Sequence, residues 1–149
     1  MEKKYRLLEN DTKKVNGRTL YRIEALKDFA GVKKGDKGGY VEKEENLSHK
    51  GNCWVYGNAR VFGYAEVSGY AEVRSIRDYV VFKNIWSSGR YFTYTRSNGM
   101  WKVGCFYGTG EELIAKAYRY SEVRGREYKR VVEYVEAMYA DLENDENKN

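Results

Sequence analysis

Between Gly51 and Val73 the chain reads GNCWVYGNARVFGYAEVSGYAEV, and its apolar positions return every six residues. Glycine stands at 51, 57, 63 and 69; a small residue at Cys53, Ala59, Ala65 and Ala71; valine at Val55, Val61, Val67 and Val73. Neither a helical period of about 3.6 residues nor the strand period of two generates this spacing. A fixed short repeat signals a solenoid, each unit supplying one short strand and a turn. Three hexads then make a coil of about 18 residues, with glycine near the corners and the small residue and valine pointing inward. The register extends backwards with Leu47 and Val41 in the small-residue slot and Gly39 in the glycine slot. Glu45 breaks one glycine slot, and His49 and Lys43 fill the valine phase. The 18-residue step predicts that Glu42 stacks on Arg60, Asn46 on Tyr64, Asn52 on Tyr70 and Trp54 on Glu72.

The flanking patterns differ. Asn16-Gly17 is a two-residue hairpin signal, because both turn residues need positive φ; it predicts strands over Lys13–Val15 and Arg18–Ala25. KDFAGVKKGDKGG reads as a loop, and it lacks the ending of a phosphate-binding P-loop. Beyond Arg74, Asn98-Gly99 predicts a second hairpin pairing Ser97 with Met100, Arg96 with Trp101, Tyr94 with Val103 and Phe92 with Cys105. Alternation puts Phe92, Tyr94, Trp101, Val103 and Cys105 on a core face, with Tyr91, Thr93, Thr95, Met100, Lys102 and Phe106 opposite. Thr109-Gly-Glu-Glu112 is a capping box opening a helix to about Tyr120, with Leu113, Ile114 and Ala117 inward. A second helix is expected from Gly125 to Leu142, with Tyr128, Val131, Val132, Val135, Met138, Tyr139 and Leu142 as its apolar stripe. The ENDENKN tail is polar and expected to fray. The domain reading is an N-terminal β cap (1–38), a short hexapeptide-repeat β-helix (39–76) and a hairpin plus two-helix module (77–149). The fold class is mainly β with C-terminal helices.

Composition narrows the function classes. The 149 residues include 15 tyrosines, no proline, one histidine and two cysteines, with a net charge of +5. No apolar run approaches the ~20 residues of a membrane span, and the N-terminus lacks a signal-peptide core. We expect a cytoplasmic protein with Cys53 and Cys105 as reduced, buried thiols. No cofactor or metal is expected, since one histidine cannot supply a three-histidine zinc site. His49 as an acyl-transfer base is conceivable, but its edge phase favours a structural role. Glu44/Glu45 and Glu111/Glu112 read as a solvated face and a capping box, so the sequence offers no catalytic constellation.

Two surfaces remain. The outward hexad residues Trp54, Tyr56, Arg60, Phe62, Tyr64 and Tyr70 form a candidate protein-binding face. Residues 77–107 interleave cations with aromatic rings, and Lys83, Arg90, Tyr91, Arg96 and Lys102 form a candidate nucleic-acid or nucleotide surface. Arg77, Tyr79, Trp86 and Trp101 belong to the same interleaving, and WSSGRYF adds backbone amides beside Arg90.

Three blocks carry a family resemblance: TLYRIEALKDFAGVKKGDKGGYVEKEENLSHKGNCWVYGNARV, the hexads, and WSSGRYFTYTRSNGMWKVGCFYGTGEELIAKAY. Together they resemble left-handed β-helix hexapeptide-repeat proteins of bacteriophages and prophages, although this array holds only about four good hexads. The resemblance implies a phage origin, an N-terminal β cap and a C-terminal α/β module, and no known reaction. The function expected is that of a non-enzymatic accessory protein, working in the cytoplasm of a bacterial host. It would bind and block a host protein or ribonucleoprotein, such as a CRISPR-type defence complex. The alternatives are a nucleotide- or nucleic-acid-binding module and a virion or assembly component. Exposed aromatics make a homo-oligomer the expected state.

Overall fold

The structure is a computed structural model describing residues 2–86 and 88–148. Among the described residues ten strands precede two α-helices. β1 (Tyr5–Val15) and β2 (Arg18–Ala25) form the predicted hairpin, with Asn16 and Gly17 both at positive φ. β1 starts eight residues earlier than the turn signal alone suggested, because its Leu7 and Tyr5 pack on the core that Ile23 and Ala25 enter. Residues Glu9–Asp11 bulge out of the pairing, and Asp11 thereby meets Arg22 (3.0 Å) and accepts from the Tyr40 hydroxyl (3.1 Å).

The glycine-rich loop ends sooner than expected. β3 (Lys37–Val41) already contains Lys37, Gly38 and Gly39 and pairs antiparallel with β2. Glycine is required there by close approach: a Cβ on Gly39 would meet the Ala59 carbonyl and the Val55 side chain, the latter at 2.7 Å.

The hexads turn their repeating positions inward, with one correction to the register. Their small residues and valines are all buried, and all four glycines have positive φ, which an L side chain adopts only with strain. Parallel pairing joins β4 (Trp54–Val55) to β6 (Glu72–Val73), a step of 18 residues. It also joins β3 to β5 (Arg60–Val61), but there Tyr40 faces Arg60 and Val41 faces Val61. The isolated bridge Leu47–Val67 repeats that 20-residue step. Val41 and Leu47 therefore occupy the valine column, not the small-residue column, and the stacks Glu42/Arg60 and Asn46/Tyr64 are overturned. The register slips between Leu47 and Trp54, where the Ser48–Asn52 corner holds two extra residues.

Beyond the hexads, β7 (Tyr79–Lys83), β8 (Tyr91–Thr95), β9 (Met100–Val103) and β10 (Phe106–Gly108) make an antiparallel sheet in the order β10-β9-β8-β7. The hairpin at 98–99 is a four-residue loop rather than a two-residue turn: Thr95 pairs with Met100 and Phe92 with Val103. The side chain of Asn98 accounts for this, accepting from Thr95 Oγ1 (2.6 Å) and donating to the Tyr107 hydroxyl (3.0 Å). The shift is even, so Phe92, Trp101 and Val103 keep the core face and Tyr94 lies half-buried beside them. Cys105 does not follow: it sits exposed in the β9–β10 turn, where β9 has already ended at Val103. Both cysteines are free, and Cys53 is buried as expected.

α1 (Gly110–Tyr120) starts from the Thr109–Glu112 capping box. α2 (Glu122–Asn147) begins before Gly125, because the Ser121 hydroxyl caps it by accepting from the Arg124 amide (3.1 Å). It also outlasts Leu142: Glu146 pairs with Arg96 (2.6 Å) and Arg77 (3.7 Å), which ties the polar end to the sheet. Asn149, the last residue of the ENDENKN tail, lies outside the described residues, as does Ser87 of WSSGRYF. Two cores result. One fills the hexads and the N-terminal hairpin; the other lies between the C-terminal sheet and the helices.

Candidate binding surfaces

The outward hexad residues separate into buried and displayed groups. Trp54 is only 2% exposed, which corrects its assignment to the surface. Its indole meets the Phe29 ring edge-on at 5.2 Å and the Tyr5 ring at 6.2 Å, because the loop before β3 folds over it. Tyr56 is half-buried with the Arg74 guanidinium 4.0 Å from its ring centre, and Phe62 is half-buried beneath Arg18 at 5.6 Å. Arg60 is half-buried, its carbonyl accepting from the Tyr79 hydroxyl (2.9 Å). Tyr64 and Tyr70 remain displayed, at 58% and 72% exposure. Tyr64 stacks face to face on Tyr91 (4.1 Å, 11°), with the Lys43 ammonium 4.9 Å from its ring. Tyr91, assigned from sequence to the nucleic-acid surface, thus joins the hexad residue Tyr64.

The remaining cations of that second set do not converge. Arg96 is held by Glu146 and lies 5.2 Å from the Tyr139 ring. Lys102 donates to the Gly104 carbonyl and lies 4.0 Å from Glu66. Lys83 is exposed at the end of β7. Arg90 lies over Gly104 and lines a cavity against the helices.

His49 sits in a filled site. Its Nδ1 accepts from the Lys4 amide (3.0 Å), its Nε2 faces Glu44 (3.0 Å), and its ring stacks on Tyr5 (4.1 Å). An acceptor role at Nδ1 puts the proton on Nε2, where it is donated to Glu44. Glu44 also binds Lys3 (3.0 Å); these hydrogen bonds, Lys3 first and then His49, hold its carboxyl below the ordinary value. Beside this cluster Lys4 is fully buried, and its Nζ donates to the Cys53 carbonyl (2.6 Å) and the Gly51 carbonyl (3.2 Å). Burial lowers the Lys4 pKa and raises that of Cys53. These bonds close the Ser48–Asn52 corner, and sequence reasoning missed them because nothing marks Lys4 apart from its neighbour Lys3.

Among the described residues no group of three His, Cys, Asp or Glu side chains is placed to hold a metal, and no helix is long and apolar enough to cross a membrane.

No protein-family model matches the chain. Over 37 residues, 25% of its length, it is 43% identical to the uncharacterized acetyltransferase YdcK of Escherichia coli (strain K12), and this stretch is 11% of that protein. The chain thus matches about a tenth of its curated relative's length.

Proposed function

We propose that the protein is a non-enzymatic binding protein built on a two-coil left-handed β-helix, and that it engages a host macromolecule through Tyr64, Tyr70 and Tyr91. The observation that carries this reading is the Tyr64–Tyr91 stack, in which Tyr64 stays 58% exposed, with Tyr70 displayed one hexad later at 72%. Rigid aromatic rings supply large contact area at little entropic cost, and they are enriched among the residues that dominate interface energies. The scaffold holding them is rigid, because backbone ladders and buried valines fix each rung. The resemblance to phage and prophage hexapeptide-repeat proteins extends the reading: such a protein would act in a bacterial cytoplasm and block a defence complex sterically. The displayed tyrosines also suit a second copy of this chain, which keeps a homo-oligomer within the reading.

A nucleic-acid reading through the five sequence-assigned residues has less support, since Arg96 and Lys102 are engaged internally. An acetyl-transfer reading rests on the 37-residue likeness alone. Its base would have to be His49, whose two ring nitrogens are both engaged.

The test is capture from a bacterial lysate with the wild type and a Tyr64→Ala/Tyr70→Ala double variant. A bound species retained by the first, lost by the second and insensitive to moderate salt is the expected outcome. Equal retention by both, or turnover of acetyl-coenzyme A, overturns the reading.

A further inference from the structure

A cavity of about 260 Å³ lies between the β9–β10 turn and the two helices. Arg90 reaches it from before β8, Lys116 from α1 and Arg124 from α2. We infer that this cavity binds a small planar ring carrying a phosphate, with a nucleoside monophosphate as the fitting class.

The charge distribution comes first. Three cations from three parts of the chain line one cavity, and among the described residues no carboxylate lines it. Among the described residues none of the three makes an ion pair, whereas Arg18, Arg22 and Arg96 are each held by a carboxylate. Like charges gathered at one cavity raise the local concentration of an anion there. Arg124 sharpens the point. It sits in the first turn of α2, the positive end of that helix's dipole, which favours an anion beside it.

The walls account for the ring. Phe106, Tyr120 and Tyr128 line the cavity. Two of these rings already carry a cation: Lys116 lies 5.5 Å from the centre of Phe106 and Arg124 lies 5.0 Å from that of Tyr120. Tyr128 is fixed from behind, its ring against Phe92 (4.7 Å) and its hydroxyl accepting from Asn84 Nδ2 (3.2 Å). Flat aromatic surfaces next to guanidinium forks suit a base and its phosphate together. The volume falls just below the usual ~300–1,000 Å³ of ligand pockets, which favours one ring and one phosphate over a dinucleotide.

The test is calorimetric titration of the full chain with AMP, GMP, CMP and UMP, and with adenosine and inorganic phosphate as half-ligands. At least one monophosphate should bind with Kd below about 1 mM, and each half-ligand about tenfold more weakly or worse. Lys116→Gln and Arg124→Gln should each weaken binding about fivefold or more, while Lys129→Gln, outside the cavity, should not. Thermal unfolding of each variant separates lost binding from lost fold, and either cationic substitution suffices if the other unfolds. A 5′-phosphorylated dinucleotide that binds tighter identifies a strand end as the source of the ligand; weaker binding identifies a free nucleotide. The inference is overturned if no monophosphate binds below about 1 mM, if phosphate alone binds as well, or if folded variants bind unchanged.

Discussion

The hydroxyl of Thr93 accepts a hydrogen bond from the backbone amide of Glu66 at 3.0 Å, joining β8 to the last hexad layer. It does not stand alone. Ser97 accepts from the Glu72 amide (2.8 Å), Tyr79 donates to the Arg60 carbonyl (2.9 Å), and Tyr107 donates to the Ser68 carbonyl (3.4 Å). An open strand edge exposes unpaired amides and carbonyls. Here the lower edge is covered by the β2–β3 ladder and the upper one by a row of side-chain hydroxyls.

Replacing Thr93 by valine keeps the shape and removes the acceptor. The Glu66 amide is then left without its partner, and we expect a loss of about 1–2 kcal/mol in urea unfolding. Thr93→Ser should lose less, because the hydroxyl remains.

Asn46 is the lock between layers. Buried, it accepts at Oδ1 from the Glu42 and Lys43 amides (3.1 and 3.0 Å), and it donates from Nδ2 to the Gly63 and Ala65 carbonyls (3.1 and 2.9 Å). Asn46→Ala removes all four bonds at once; the Glu42 amide keeps the Val61 carbonyl (3.2 Å), and the other three groups lose this partner. Chemical denaturation should show a loss of about 2–4 kcal/mol, the summed cost of buried unpaired groups less what water recovers.

Trp54 and Tyr70 should separate stability from binding. Trp54→Ala empties a core site and should cost about 3–5 kcal/mol of unfolding free energy. Tyr70→Ala, on the surface, should change stability by less than about 0.5 kcal/mol while weakening capture of the partner. A stable, fully folded Trp54→Ala variant would contradict the burial described above.

Glu42 gives the molecule an acid-sensitive joint. The Gly63 amide (2.8 Å) is the largest influence holding its carboxyl below the ordinary value, and Arg18 (2.8 Å) adds to it. A depressed carboxyl stabilises fully above the unfolded value of about 4.3, and that contribution fades as pH falls below it. Glu42→Gln should therefore flatten the acid limb of the stability–pH curve and leave its slope near neutrality unchanged.

The hexad interior was legible because burial repeats with the sequence: every small residue and valine from Cys53 to Val73 points inward. The capping box at Thr109 and the turn at Asn16-Gly17 were legible because their chemistry is local. What escaped depends on contacts distant in sequence. Trp54 looks outward by phase, yet Phe29, some 25 residues earlier, folds over it. The two extra residues at the Ser48–Asn52 corner leave no mark in the period itself, since Val41 and Leu47 suit either column. Tyr91 and Tyr64 belong to one surface only because β8 packs on the hexads. Lys116 and Arg124 lay outside the basic-aromatic stretch, and only the packing of α1 and α2 brings them beside Arg90.

The hydroxyl row over the last hexads also sets a rule for how such an array can lengthen over generations. Thr93, Ser97 and Tyr107 meet particular amides and carbonyls, each at a fixed position around the rung. Inserting one hexad would turn the C-terminal sheet away from those groups and leave the row facing the wrong side. Three hexads added together restore every partner, because parallel pairing returns after 18 residues. Natural relatives of this chain should therefore differ in length by whole layers, and a designer extending it should add residues in the same quanta.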